Sequence, residues 1–157
     1  MLKQRSKQLG GIVIVSAILV VLAWAALRGG RCYGLWVLAM TIVPLVAAAI
    51  ARLSLVSLIP DVIFGAIDTG LLTVAAIIGA SGFGVVGAIV GGVVGDAITD
   101  GIAGFFEGGI AEWLRSKGID ESRTAVGSAC GKMAGCLAGS GLVLTLAAAA
   151  GVKIILG

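Results

Sequence analysis

The chain has 157 residues, 59% of them hydrophobic and only 12% charged, with a formal net charge of +3. A charged fraction this far below the roughly 25% of soluble globular domains excludes that class and points to a polytopic membrane protein. The charge is too small and too scattered for a nucleic-acid footprint, and the absence of histidine removes imidazole metal sites and the usual catalytic base.

The expected fold class is all-α. It is a membrane helical bundle of about five transmembrane helices with glycine-zipper packing, in a single domain over residues 1–157. The spans are placed near 11–28, 34–51, 60–81, 84–106 and 126–151, each close to the roughly 20 residues that cross a bilayer. The N-terminus starts basic, runs apolar and reaches Ala-Trp-Ala, superficially like a secretory signal peptide. Four further apolar runs follow it, so it is taken as a retained first helix. Arg28, Gly29, Gly30, Arg31 and Cys32 make a polar turn, with Trp24, Tyr33 and Trp36 nearby as interfacial aromatics.

Pro60 opens the third span, where a helix tolerates a missing N–H. The fourth span is expected to continue as a helix beyond the bilayer to about residue 117, because Ile110, Trp113 and Leu114 keep a helical stripe. Gly118 ends it. After a polar loop, with Asp120 or Ser122 as a cap, the fifth span carries Gly127, Gly131, Gly135 and Gly139 at every fourth position. Such a face lets helix backbones approach closely, and Gly87, Gly91 and Gly95 repeat the device on the fourth span. Cys130, Met133 and Cys136 could form a soft Cu(I) site, but sulfur residues filling gaps beside a glycine line is the better reading.

The basic residues set an orientation. With the N-terminus cytoplasmic, Lys3, Arg5, Lys7, Arg52, Arg115, Lys117 and Arg123 lie inside, while Arg28, Arg31 and Lys153 lie outside. Lys132 remains within the last span. The expected location is the cytoplasmic (inner) membrane of a prokaryote.

Carboxylates inside apolar runs need a reason, since an aspartate near the centre of a spanning helix costs roughly 2.5–3.5 kcal/mol even on insertion scales. Asp96, Asp100 and Glu107 fall at about 0°, 40° and 20° around one helix, and Asp61 and Asp68, seven apart, share a face on the preceding one. Two helices joined by a short turn could present these acidic stripes to each other. Hard oxygen ligands of this kind suit Mg²⁺, Mn²⁺, Ca²⁺ or Fe²⁺, or carry protons. The plainer alternative is that the glycines pack helices and Asp96 or Asp100 caps a broken one. Lys132 is the only cation within the spans, too few for Asp68, Asp96 and Asp100 together.

The run DVIFGAIDTGLLTVAAIIGASG, followed by GDAITDGIAGFFEGGIAEWLRSKG, resembles the first two helices of the vacuolar iron transporter family over residues 60–117. The resemblance implies a divalent iron or manganese carrier that exchanges the ion for protons and works as a dimer with the path at the subunit interface. By position, Asp68 matches the family's path-facing aspartate of the first helix. Asp100, in AITDGIAG, stands where the family often has a methionine, which makes the site harder and more negative. The chain departs from the family in its short polar loop, its two additional N-terminal spans and the single span after the loop.

The function expected is divalent cation transport, Fe²⁺ or Mn²⁺ in character, through a path formed by the third and fourth spans with Asp61, Asp68, Asp96, Asp100 and Glu107 as metal-path residues. No resident cofactor and no enzymatic activity are expected, since no nucleophile or cofactor motif is present. The expected partners are membrane lipid and further copies of the chain in a homodimer or higher oligomer. The alternative is a structural or accessory subunit that assembles a larger membrane complex through its glycine-zipper helices.

Overall fold

The structure, a computed structural model, describes residues 2–29, 32–118 and 124–152. Arg31, Arg123 and Lys153 of the charge count, and the expected caps Asp120 and Ser122, lie outside the described residues. The described residues fold into helices joined by short turns, without a strand among them. Four stretches are long and apolar enough to cross a bilayer: Gln8–Arg28, Tyr33–Ile50, Val56–Ile102 and Ala125–Ala149.

The first helix, α1 (Leu2–Gly29), starts well before residue 11. Its leading leucine, lysines, glutamines and arginine are strong helix formers, so the polar N-terminal turns extend the apolar span. Among its described side chains it buries only Val15 and Ala26. The second apolar run is broken into α2 (Tyr33–Met40) and α3 (Ile42–Ile50) at Thr41. The cause is Pro44, which has no N–H for the Met40 carbonyl and whose ring crowds it.

The end of α3 is closed by a left-handed residue, Arg52 at φ 57°. Arg52 N–H bonds to Ala49 O at 2.9 Å and Leu53 N–H to Ala48 O at 3.0 Å, the paired bonds of a Schellman cap. The same position is Gly118 (φ 72°) after α4 and Gly151 (φ 78°) after α5. An arginine there costs roughly 1–2 kcal/mol that a glycine would not.

A short 3₁₀ turn, Val56–Leu58, leads into α4 (Ile59–Ser116), which is helical on both sides of a break at Phe83 and Gly84. Gly84 has φ 59° and ψ −142°, a conformation open in practice only to glycine, and here the chain reverses. A Cβ on Gly79 would strike the Gly87 carbonyl, and one on Gly91 would lie 2.5 Å from the Ala75 carbonyl oxygen. The limbs 59–82 and 85–116 are therefore antiparallel and touch backbone to backbone. The expected third and fourth spans fall on the two limbs of this one hairpin, and the 47-residue apolar stretch Val56–Ile102 takes in the third and all but the end of the fourth.

The last helix, α5 (Ala125–Ala149), touches every other helix. Its N-terminus is capped by Thr124, whose hydroxyl oxygen accepts from Gly127 N–H at 3.0 Å. Gly135 and Gly139 lie against the carbonyls of Val62 and Ala66 on the first limb, with no room for a Cβ. Another side of α5 meets α2, where Gly141 packs on Leu38 and Gly34 on Thr145. Cys130 is buried in an apolar cluster with Ala48 and Leu58, a packing role.

Candidate functional site: a polar seam along α5

The glycine line of α5 has a polar neighbour. Ser128, Lys132, Cys136 and Ser140 each follow a glycine of that line, so they recur every fourth residue on one side of the helix. Because Gly131, Gly135 and Gly139 bring the first limb of α4 into backbone contact, these side chains are held against it.

At one end Ser128 Oγ donates to Asp61 Oδ1 at 2.8 Å. Asp61 sits in the first turn of α4 and is 1% exposed. The positive end of the helix dipole favours a carboxylate there. Next, the Lys132 ammonium lies 4.1 Å from the centre of the Phe64 ring, a cation–π contact. Cys136 comes beside Gly65, where an added Cβ would fall 3.2 Å from Sγ. At the far end Thr73 Oγ1 lies 2.9 Å from Ser140 Oγ and 2.7 Å from Thr69 O, and Ser140 Oγ reaches Thr69 O at 3.3 Å.

Asp68, one turn beyond Phe64, faces the second limb. Its Oδ1 accepts from Thr99 Oγ1 at 2.6 Å, and that hydroxyl has the Asp96 carbonyl oxygen as its other acceptor, at 3.1 Å. Neither Asp61 nor Asp68 has an ion-pair partner among the described residues, and Lys132 is held by the aromatic face between their levels.

The acidic stripes are not set against each other as the sequence analysis expected. The line on the second limb that meets the first is Gly87, Gly91, Gly95 and Thr99, because small residues at every fourth position permit the closest approach and Thr99 continues them. Asp96 lies about 60° from Thr99 and is half-buried; Asp100, about 100° from Thr99, is exposed. Asp68 thus meets a hydroxyl and not the Asp100 carboxylate. Glu107 belongs to the second limb, and its side chain lies outside the described residues.

Asp61 and Asp68 are separated by about 10 Å along their helix, too far for one ion with ligand distances of roughly 2–2.6 Å to bridge them. Among the described residues no group of three or more Cys, Asp or Glu side chains could hold a metal ion. The arrangement offers separate single-carboxylate stations, each with a hydroxyl donor.

Sequence reasoning singled out the acids but missed Ser128, Thr99, Thr69, Thr73 and Ser140. The signal was available: a polar residue follows each glycine of the α5 line, and Thr99 prolongs the glycine series of the second limb. No family model, curated protein or solved structure matches this chain.

Proposed function

We propose that this chain is an integral membrane protein that passes cations along the first limb of α4, through its seam with α5 and its contact with the second limb, with Asp61 and Asp68 as stations. The observation that supports this reading is a charge imbalance at apolar depth. Two carboxylates and one ammonium, Lys132, lie along the first limb, so its charged forms carry one uncompensated negative charge. Left alone in hydrocarbon, such a charge is costly; a passing cation offsets it. The hydroxyls of Ser128, Thr99, Thr73 and Ser140 supply oxygen atoms along the way.

The resemblance over residues 60–117 makes Fe²⁺ or Mn²⁺ the proposed cargo, moved in exchange for protons. A doubly charged ion needs more oxygen ligands than one station offers. Asp96, Asp100 and Glu107 on the second limb are the proposed source of the rest, in a homo-oligomer that sets one copy's second limb beside another's. The protein is proposed to sit in a prokaryotic inner membrane with its N-terminus in the cytoplasm, following the distribution of basic residues.

The test is uptake of Mn²⁺, Fe²⁺ and Co²⁺ by proteoliposomes with a pH-sensitive dye inside. Uptake with opposite proton movement supports the carrier; no flux under any ion or proton gradient removes it. One observation favours the accessory-subunit reading: Asp100 is exposed beside Gly101, and a Cβ at Gly101 or Gly108 would meet nothing within 4 Å. A partner's basic helix could lie there. Co-purification of a second membrane protein, lost in Asp100→Asn, together with absence of flux, would establish that role instead.

A further inference from the structure

Because α1 packs lightly, a groove of about 820 Å³ opens between it, α3 and the start of α5. Its walls are apolar, with Ile14 and Ile18 of α1 facing Val46 and Ile50 of α3 and Cys130 of α5. Its polar lining residues, Gln8 and Thr124, stand at one end. That end is where the apolar stretches of α1 and α5 begin, at Gln8 and Ala125, and where the stretch Tyr33–Ile50 finishes. Gln8 to Ile18 spans about 15 Å of helix, half of a hydrocarbon core about 30 Å thick. The groove therefore has the depth of one leaflet and a polar mouth at headgroup level.

A positive charge stands at the same end. Arg52 lies between two lining residues, Ala51 and Leu53, and is exposed. Lys3, Arg5 and Lys7 precede Gln8 in the sequence. Arg52 also occupies the left-handed cap position that is glycine after α4 and α5. A charged residue in a conformation that glycine adopts more easily points to a role beyond closing the helix.

We propose that this groove binds an acyl chain of an anionic phospholipid, with the lipid phosphate paired to Arg52. An acyl chain matches the apolar lining of the groove, and the guanidinium matches phosphate geometry. The excess of basic residues assigns this end to the cytoplasmic leaflet, whose anionic lipids attract basic segments near span ends. The inference rests on membrane placement and not on cation passage, so loss of the transport reading leaves it standing.

The experiment is native mass spectrometry of the full chain released from nanodiscs containing equal parts of phosphatidylglycerol and phosphatidylcholine with identical acyl chains. The unaltered protein should retain phosphatidylglycerol in preference by about fivefold, the effect of one arginine near a membrane surface. Arg52→Gln should erase the preference and keep the retained lipid. Val46→Trp or Ile14→Trp, which fill the groove from its two walls, should remove both lipids. Equal retention of the two lipids, an undiminished preference in Arg52→Gln, or unchanged retention in both tryptophan variants would overturn the proposal. So would a tryptophan variant that dissociates an oligomer while lipid retention stays the same, since the groove would then be an interface between copies. If circular dichroism shows that both tryptophan variants fail to fold, Arg52→Gln decides, because Arg52 is exposed at a turn.

Discussion

Two contacts in this molecule use the same device and differ in what accompanies it. In the α4 hairpin, Gly87, Gly91 and Gly95 bring the second limb onto the first; in the contact of α5 with the first limb, Gly131, Gly135 and Gly139 do the same. On each helix the positions just before the small residues are mostly apolar, whereas those just after them are polar all along α5 and become polar on the second limb only after Gly95. In α5 the polar positions are Ser128, Lys132, Cys136 and Ser140, and they face the first limb, where Asp61, Phe64 and Thr73 meet them. On the second limb the corresponding positions end in Asp96 and Asp100, which the hairpin leaves half-buried and exposed. Glycine spacing thus decides how near two helices come, whereas the neighbouring position decides whether the contact carries polar chemistry.

The largest effect should come from filling the α5 contact. Gly135→Leu would drive a side chain into the Val62 carbonyl and the Ala66 nitrogen, both backbone atoms that cannot step aside. The cost should reach or exceed the roughly 3 kcal/mol at the upper end of overpacking, seen as loss of a monodisperse, thermally cooperative protein in detergent. Gly101→Leu, with nothing within 4 Å of its Cβ, should melt like the parent. Equal melting of the two variants would break the distinction between packed and open glycines.

Removing one hydroxyl from the seam sharpens the contrast at lower cost. Ser128→Ala leaves the buried Asp61 carboxylate without its hydroxyl donor, and the melting temperature should fall by the equivalent of about 1–3 kcal/mol. Ser81→Ala is the control, because Ser81 is exposed and bonds to the Ile78 carbonyl of its own helix. A Ser128→Ala protein as stable as Ser81→Ala would mean that the seam is not closed to water.

The smallest effect is a gain. Arg52→Gly relieves a non-glycine residue of its left-handed conformation and should raise stability by up to about 1–2 kcal/mol, measured by the same thermal unfolding in a single detergent. A loss of stability there would show that the arginine side chain holds the α3 end through contacts of its own.

The all-helical class was legible because long apolar runs, glycines at every fourth residue and a terminating Gly118 all act through local geometry. The reversal at Phe83 and Gly84 was also readable, since Gly82 and Gly84 allow a turn that β-branched neighbours do not. The break at Thr41 was missed although Pro44 announces it: a hydropathy run hides a missing N–H. The acidic candidates were identified as residues but not as neighbours. Helical angles place Asp96 and Asp100 on one line correctly, yet which line meets the first limb depends on competition between faces, and the Gly-Gly-Gly-Thr face wins by approaching closer. The hydroxyl partners of Asp61 and Asp68 come from segments 67 and 31 residues away, a pairing that no local period contains.

The proposal that the first limb of α4 carries cations past Asp61 and Asp68 is tested most directly by flux through proteoliposomes containing Asp61→Asn, Asp68→Asn or Glu112→Gln protein. Both aspartate variants should insert and fold yet lose Mn²⁺ and Fe²⁺ uptake by at least about tenfold, a loss of roughly 1.4 kcal/mol in transition-state stabilisation. Glu112→Gln, at an exposed position beyond the apolar stretch, should transport like the parent. Full flux in both aspartate variants, or no flux of any cation in the unaltered protein, would contradict the account.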